Sequence, residues 1–314
     1  MYYKMITSFE EWDRYFDEFA TLYELCFNQP MDREEVIWRY FKNPKKDVVA
    51  CFAFDDDKLV ANYSVSPVSL YYKGEIIKAA QSLNTMTHPD YMGRGLFVTL
   101  AKEVYAFLAN NGYNLVWGFP NYISNRTFLT KLDWQDVLVI PTLEVDLANL
   151  KNVEVGTNVI EDDGFKLDYE RCLNNHDCIQ VYKSNEYMQW RYAEHPHIEY
   201  KTFAYSTDGV HATSRIICKE YKDILNVVDY SIHDANEMRQ LLLTVVAYAN
   251  ELNKNKITTW SQLGDDMHLM LEKMGAKNIA PITYFGNAIF NKNLEDDYVD
   301  GRCWLLHMSD DNVY

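Results

Sequence analysis

Nowhere does the sequence approach the ~20 consecutive apolar residues that a membrane-spanning helix needs. Its opening stretch, Met1 to Glu10, lacks the basic region and apolar run of a secretory signal. These absences point to a cytoplasmic protein without a membrane partner. No Cys-x-x-Cys pair occurs among the six cysteines, Cys26, Cys51, Cys172, Cys178, Cys218 and Cys303, and none has a histidine at metal-ligand spacing. Buried, reduced thiols fit that scatter, and no metal site is expected. Neither a Cys/His nor a Ser/His/Asp arrangement stands out to support a covalent intermediate. Positive charge is also scarce. Against 46 Asp and Glu there are 30 Lys and Arg, a formal net charge of −16, which opposes the phosphate neutralisation that nucleic-acid binding requires. An anionic cofactor faces the same deficit, so its phosphates must rest on backbone amides and a few local cations. Arg94 and Lys131 are the candidates.

What is present is the composition of a globular chain, 48% apolar and 24% charged over 314 residues, enough for two ordinary cores. Ser8 precedes a helical pattern through Phe9, Trp12, Phe16, Phe19 and Tyr23, with Glu10 and Glu11 where carboxylates suit the helix dipole. Asp32 can cap a second helix that Asn43-Pro44 would stop. Strands are predicted over Val48 to Phe54 and Leu59 to Pro67 about an Asp55–Lys58 turn, with another hairpin at Lys73-Gly74. The strand Ala79 to His88 follows, and period two would put Gln81, Leu83, Thr85 and Thr87 on one face and Ser82, Asn84, Met86 and His88 on the other.

That strand runs into His88-Pro-Asp-Tyr-Met-Gly-Arg-Gly-Leu-Phe97, two glycines one residue apart, and then a helical repeat through Leu96, Leu100, Val104, Phe107 and Leu108. At a strand, glycine turn and helix start, the first amides of the helix lack intrahelical partners and carry the positive dipole end, so they can bind phosphate. Strand-like Asn114 to Phe119 leads next into Pro120-Asn121 and a short helix ending Phe128-Leu-Thr-Lys-Leu-Asp-Trp134.

This order resembles the acyl-CoA-binding core of the GNAT superfamily of N-acyltransferases. There a (Gln/Arg)-x-x-Gly-x-(Gly/Ala) loop holds the coenzyme A pyrophosphate, and here that loop is Asp90-Tyr-Met-Gly-Arg-Gly95, with Asp90 in place of Gln/Arg and Asp133 in place of a later Gly. The resemblance implies acetyl-CoA or another short-chain acyl-CoA as co-substrate, without a metal. It implies that Thr85, Met86, Thr87, Tyr91, Met92, Gly93, Arg94, Gly95 and Leu96 contact it, with Asn121, Asn125, Phe128 and Lys131 from the later helix. It also implies that the strand before the loop splays from its neighbour to receive the pantetheine arm. The catalytic candidates are Gln81, Asn84, His88 and Tyr122. Gln81 stands about where many members carry a Glu that relays the amine's proton, and it cannot act as a base. A water chain or His88 would take that proton. The family's tyrosine acid would fall near Leu129 and is missing, leaving Tyr122 and Tyr91 nearby.

The first half recurs. Trp38-Arg-Tyr-Phe-Lys-Asn-Pro44 is echoed by Trp190-Arg-Tyr-Ala-Glu-His-Pro196, and Trp117 by Trp260, an ordered series that reads as a duplication. The second copy has His233-Asp-Ala-Asn-Glu-Met-Arg239 where the glycines would be, so no pyrophosphate is expected there. The expected architecture is therefore α/β (α+β): two tandem GNAT-like domains, each a central mixed, mostly antiparallel sheet flanked by helices. Their expected bounds are 1–148, a connector at 149–163, and a degenerate 164–314, with Val137 to Asp146 the last strand of the first. Tyr230, Trp260, Tyr284 and Trp304 are candidates for the acceptor pocket, where flat aromatic faces stack on nucleobases and sugars. The tandem layout is similar to bacterial enzymes that acylate the amino group of a nucleotide-linked deoxy sugar, which implies transfer of an acetyl or other short acyl group, hydroxylated or not, to a dTDP-type amino sugar. An aminoglycoside or other small-amine N-acetyltransferase is the alternative, since an acidic surface attracts a polycation. A fold kept for acyl-CoA binding without catalysis is a third.

Overall fold

A computed structural model describes residues 1–46, 48–151, 153–173 and 178–311. Asn152 of the expected connector and residues 312–314 of the expected second domain lie outside the described residues. In chain order the elements of the first half are β1 (Tyr2–Ile6), α1 (Phe9–Asp13), α2 (Phe16–Phe27), α3 (Arg33–Phe41), β2 (Val49–Asp55), β3 (Lys58–Pro67), β4 (Leu70–Tyr72), β5 (Glu75–Ile77), β6 (Ala79–Thr87), α4 (Leu96–Asn110), β7 (Leu115–Gly118), α5 (Tyr122–Lys131) and β8 (Gln135–Asp146). The second half adds β9 (Val159–Glu161), β10 (Gln180–Val181), α6 (Asn185–Met188), β11 (Tyr200–Tyr205), β12 (Ser214–Tyr221), β13 (Ile224–Ser231), α7 (Ala235–Glu251), β14 (Lys256–Trp260), α8 (Asp266–Lys273), β15 (Lys277–Ile289) and α9 (Glu295–Val299). No described helix is long and apolar enough to cross a membrane.

The caps form as expected. Ser8 Oγ accepts from the Glu11 amide at 3.2 Å, and Asp32 Oδ1 from the Glu35 amide at 3.0 Å. The first helical pattern is not continuous, however. It breaks between α1 and α2 at Tyr15, whose backbone (φ −114°, ψ 20°) is not helical.

The chain divides into two compact units. The first comprises Met1–Leu70, Glu75–Leu138 and Tyr284–Gly301. Its strands run β1-β2-β3-β6-β7-β15, with β6 and β7 parallel and the other pairs antiparallel. Both faces are covered, and the alternation along β2 shows how. Val49, Cys51 and Ala53 pack under α4 with Leu100, Val104 and Leu108, while Ala50, Phe52 and Phe54 pack under α1–α3 with Trp12, Phe19 and Tyr40.

The second unit comprises Tyr71–Gly74, Val139–Thr283 and Arg302–Tyr314. Its strands run β8-β14-β13-β12-β11-β9, with β13 and β14 parallel. The helices α7 and α8 cover one face through Leu241, Val245, Met267 and Leu271.

Two expectations about organisation are corrected. The strand ending at Asp146 does not close the first unit: residues 142–146 pair with β14, and Leu143, Val145 and Leu147 are buried in the second core. The first sheet is completed instead by Gly286–Ile289 of β15, which pair with β7. The expected connector is partly ordered within the second unit, because β9 pairs with β11 and the Gly156 amide donates to Thr244 Oγ1 on α7 at 3.1 Å.

Candidate active site

The glycine turn forms where the sequence puts it. β6 ends at Thr87, and a short turn over Pro89–Tyr91 leads to Gly93 (φ 74°) and Gly95 (φ 78°), the residue before α4. Both φ values lie in the left-handed region that favours glycine. A Cβ added at either would meet nothing within 4 Å, so the requirement is conformational and the space above the turn is open. Among the described residues no side chain caps α4. Its first amides therefore face outward with the dipole behind them, as a phosphate site requires.

The turn before α7 in the second unit is built differently. Asp234 caps α7, and its Oδ1 accepts from the Asn236 and Glu237 amides at 2.8 and 2.9 Å. A carboxylate of the chain holds the amides that an anion would use.

Arg94 is exposed, donates to the Asp90 carbonyl at 2.9 Å and lies 4.5 Å from the centre of the Tyr91 ring. The Tyr91 hydroxyl donates to Asp55 at 2.7 Å. The Asp90 carboxylate is 80% exposed, so the anionic residue in the loop is turned to solvent. Met92 is exposed, and Leu96 is buried under α4.

β6 and β7 part as the pantetheine arm would need. Their pairing covers Ala79↔Leu115, Ala80↔Val116 and Gln81↔Trp117, and β7 ends one residue later at Gly118. A Cβ on Gly118 would sit 3.4 Å from that of Ser82, which places Ser82 at the point of divergence. Beyond it, β6 keeps its other neighbour: Val65 opposes Ser82 and Tyr63 opposes Thr85, with a bulge between. The bulge breaks the expected two-face alternation, so Leu83 and Met86 both enter the core under α1–α3. The Met86 side chain is therefore part of the core, which leaves only its main chain to meet a cofactor. Thr85 and Thr87 are half-buried on the same strand, and the Asn84 carbonyl accepts from Asn62 at 2.8 Å.

The catalytic candidates are dispersed. Gln81 is buried in the paired part of β6. His88 is buried with both ring nitrogens occupied, Nε2 at 2.9 Å from Lys58 Nζ and Nδ1 accepting from the Asp90 amide at 3.2 Å. Tyr122 opens α5 and is 82% exposed. On α5, Asn121 is the N-cap, accepting from the Ile123 and Ser124 amides at 3.0 and 2.9 Å. Asn125 is half-buried and Lys131 exposed. Phe128 is buried between Phe97 and Trp134, with ring centres at 5.1 and 4.2 Å, and so packs the core instead of lining a cleft. Asp133 takes the left-handed conformation (φ 56°) for which the resembled pattern has glycine.

A set of groups that sequence reasoning missed lies beneath the divergence. The Tyr63 hydroxyl is 2.9 Å from Ser82 Oγ and 3.0 Å from the Tyr105 hydroxyl, which accepts from Trp134 Nε1 at 2.7 Å. Burial pushes the Tyr63 phenol up to about 12 and, with the neighbouring Tyr63, raises Tyr105 as well. Both stay protonated near neutrality. Trp134 was the only one of these residues that a motif touched.

The aromatic candidates for an acceptor wall are corrected by their burial. Trp260 is 1% exposed, Trp304 is buried, and Tyr230 is buried with its hydroxyl donating to Asp265, so none offers a free face. Tyr284 is half-buried. The second unit holds a buried charge cluster instead. Asp229, His307 and Asp310 bring one potential ligand atom each within 4.8 Å of one another, a spacing that could hold a metal ion. The Lys183 ammonium already sits among them, paired with Asp229, 3.0 Å from Asp310 and 3.2 Å from His307 Nδ1. Arg215 adds a second cation at 2.8 Å from Asp229. Burial alone would raise the Asp229 carboxyl, but the Lys183 and Arg215 charges hold it well below the ordinary range.

Residues 12–137 match the family described as acetyltransferase (GNAT) domain. No curated protein matches the chain significantly. Among solved structures, a protein of unknown function and probable N-acyltransferase from Enterococcus faecalis V583 is similar at 14% identity and a TM-score of 0.71, over 93% of this chain and 73% of that one. A GCN5-related N-acetyltransferase from Anabaena variabilis ATCC 29413 is similar at 13% identity and a TM-score of 0.69, over 92% and 73%. Eis1 from Mycobacterium abscessus is similar at 12% identity and a TM-score of 0.64, over 95% and 75%. At such identities the structures establish the fold alone. The domain match adds the chemistry: with residues 12–137 similar to an acetyltransferase domain, the protein is an acyl-transferring enzyme.

Proposed function

We propose that the amino-terminal unit binds acyl-CoA with its diphosphate on the glycine turn at residues 93–95 and its pantetheine arm along the free edge of β6, and that the acyl group passes directly to an amine. The observation that carries this reading is the uncapped start of α4 beside strands that stop pairing after Gln81. A neutral amine attacks the thioester carbonyl, the C–N bond forms as the C–S bond breaks, and the amine's proton passes to water. Main-chain amides near the β6 bulge are placed to steady the oxyanion, and holding both reactants in one cleft supplies much of the rate.

We further propose that the carboxy-terminal unit is a degenerate copy. The order β2-β3-β6-α4-β7-α5 in the first half is repeated by β11-β12-β13-α7-β14-α8 in the second, and Asp234 fills the anion position.

The acceptor favoured is a cationic small amine of the aminoglycoside class, because a net charge of −16 attracts a polycation. A nucleotide-linked amino deoxy sugar is the second reading, supported by the tandem layout. It is weakened by the burial of Tyr230, Trp260 and Trp304 and by the repulsion of its diphosphate. Thiol release from acetyl-CoA in the presence of kanamycin-type amines and of dTDP-linked amino sugars separates the two. Turnover with neither class, alongside tight acetyl-CoA binding, removes both acceptors and leaves the cofactor assignment standing.

A further inference from the structure

We propose that the Ser82 hydroxyl donates a hydrogen bond to the sulfur of the thioester as it departs, and that Trp134, Tyr105 and Tyr63 fix the direction of that donation. The inference rests on the acyl-CoA reading above.

Direction follows from counting donors. An indole N–H can only donate, so Trp134 Nε1 gives its hydrogen to the Tyr105 oxygen. Among the described residues the one acceptor within reach of the Tyr105 proton is the Tyr63 oxygen, at 3.0 Å. Tyr63 then has Ser82 Oγ at 2.9 Å as the acceptor for its own proton. Each step fills the acceptor ahead of it, and Ser82 is left with a hydroxyl proton for which the described residues show no acceptor. Successive hydrogen bonds of this kind polarise one another, so the last donor is the strongest.

Position agrees. Ser82 stands where β6 and β7 diverge, against Gly118. An arm anchored at the glycine turn and lying along β6 from Thr87 to Ser82 crosses five residues, ~17 Å at strand rise, which suits an extended pantetheine. Its thioester therefore ends at Ser82. The tyrosine acid that the resemblance implies would fall near Leu129, which is apolar and packs partly buried against the core. No proton need be transferred in this step. The C–S bond breaks, the thiolate leaves with the electron pair while hydrogen-bonded to Ser82, and it later takes a proton from water.

The test uses the full chain with free CoA as the probe and follows the ultraviolet absorbance of the bound thiolate against pH. In the wild type the bound thiol is expected to titrate about one pH unit below free CoA in the same buffer, a tenfold gain in acidity. Ser82→Ala should return it to the free value, Ser82→Thr should keep the shift, and Tyr105→Phe should lose part of it. With an acceptor found, kcat of Ser82→Ala should fall on the order of tenfold, while affinity for acetyl-CoA, whose sulfur is uncharged in the ground state, should change little. A wild-type thiol that titrates as in water, or a Ser82→Ala variant that titrates as the wild type, overturns the proposal and leaves the acyl-CoA reading intact. Failure of the wild type to bind CoA refutes that reading first, and this inference with it.

Discussion

Asp234 does at the start of α7 what Gly95 cannot do at the start of α4: its carboxylate accepts from the first amides of the helix. The starts of α4 and α7 therefore differ in whether their amides are already held by a carboxylate.

Gly95→Asp should abolish this difference. The substitution places a side chain at φ 78° and a carboxylate over the amides of α4. Calorimetric titration with acetyl-CoA should show affinity weakened by at least about tenfold, while Gly95→Ala, which carries only the left-handed strain of ~1 kcal/mol, should lose less affinity. Equal losses in the two variants would argue against phosphate binding at these amides.

Asp229 should govern acid stability. With its native carboxyl depressed by Lys183 and Arg215, the charged form stabilises the fold fully above the unfolded value near ~3.9. That contribution is lost as pH falls from there through the depressed native value. Melting temperatures from pH 7 to pH 3 should drop most steeply below about 4. Asp229→Ala should cost roughly 3–5 kcal/mol at neutral pH, because it leaves Lys183 buried without its closest partner. A variant with wild-type stability at pH 7 would show that the cluster contributes little.

Gly156→Ala tests the ordered connector. Its Cβ would lie 2.1 Å from the Gln240 carbonyl oxygen, a backbone atom that cannot rotate away. The expected loss is about 1–3 kcal/mol in denaturant unfolding, with no change in acetyl-CoA affinity.

Asp133→Gly should act in the opposite sense. Aspartate at φ 56° occupies a backbone region that glycine enters freely, and the residue is exposed. The replacement should stabilise by a few tenths to about 1 kcal/mol, visible as a small rise in melting temperature.

Local chemistry made much of this legible. The caps at Ser8 and Asp32, the strand before the turn and the turn itself rest on neighbours within a few residues, and each formed as its residue types require. The β6 bulge was not legible, because period two assumes a regular ladder and the irregularity is set by pairing with β3. Nor was the chain from Trp134 to Ser82, whose links join residues 19 to 42 apart among 24 tyrosines with no periodic signature. The aromatic wall failed for a related reason. Tyr230, Trp260 and Trp304 satisfy the composition of a stacking surface as well as that of a core, and only burial tells the two apart.

The last strand of each sheet comes from the other half of the chain: Gly286–Ile289 completes the first, and residues 142–146 complete the second. A single cleavage near residue 148 thus yields no self-sufficient fragment, since the amino-terminal piece forfeits residues 284–301 and the carboxy-terminal piece forfeits 139–148. The amino-terminal sheet is therefore finished only when the chain has passed through the whole second unit and returned at residue 284, so its folding waits on the carboxy-terminal half.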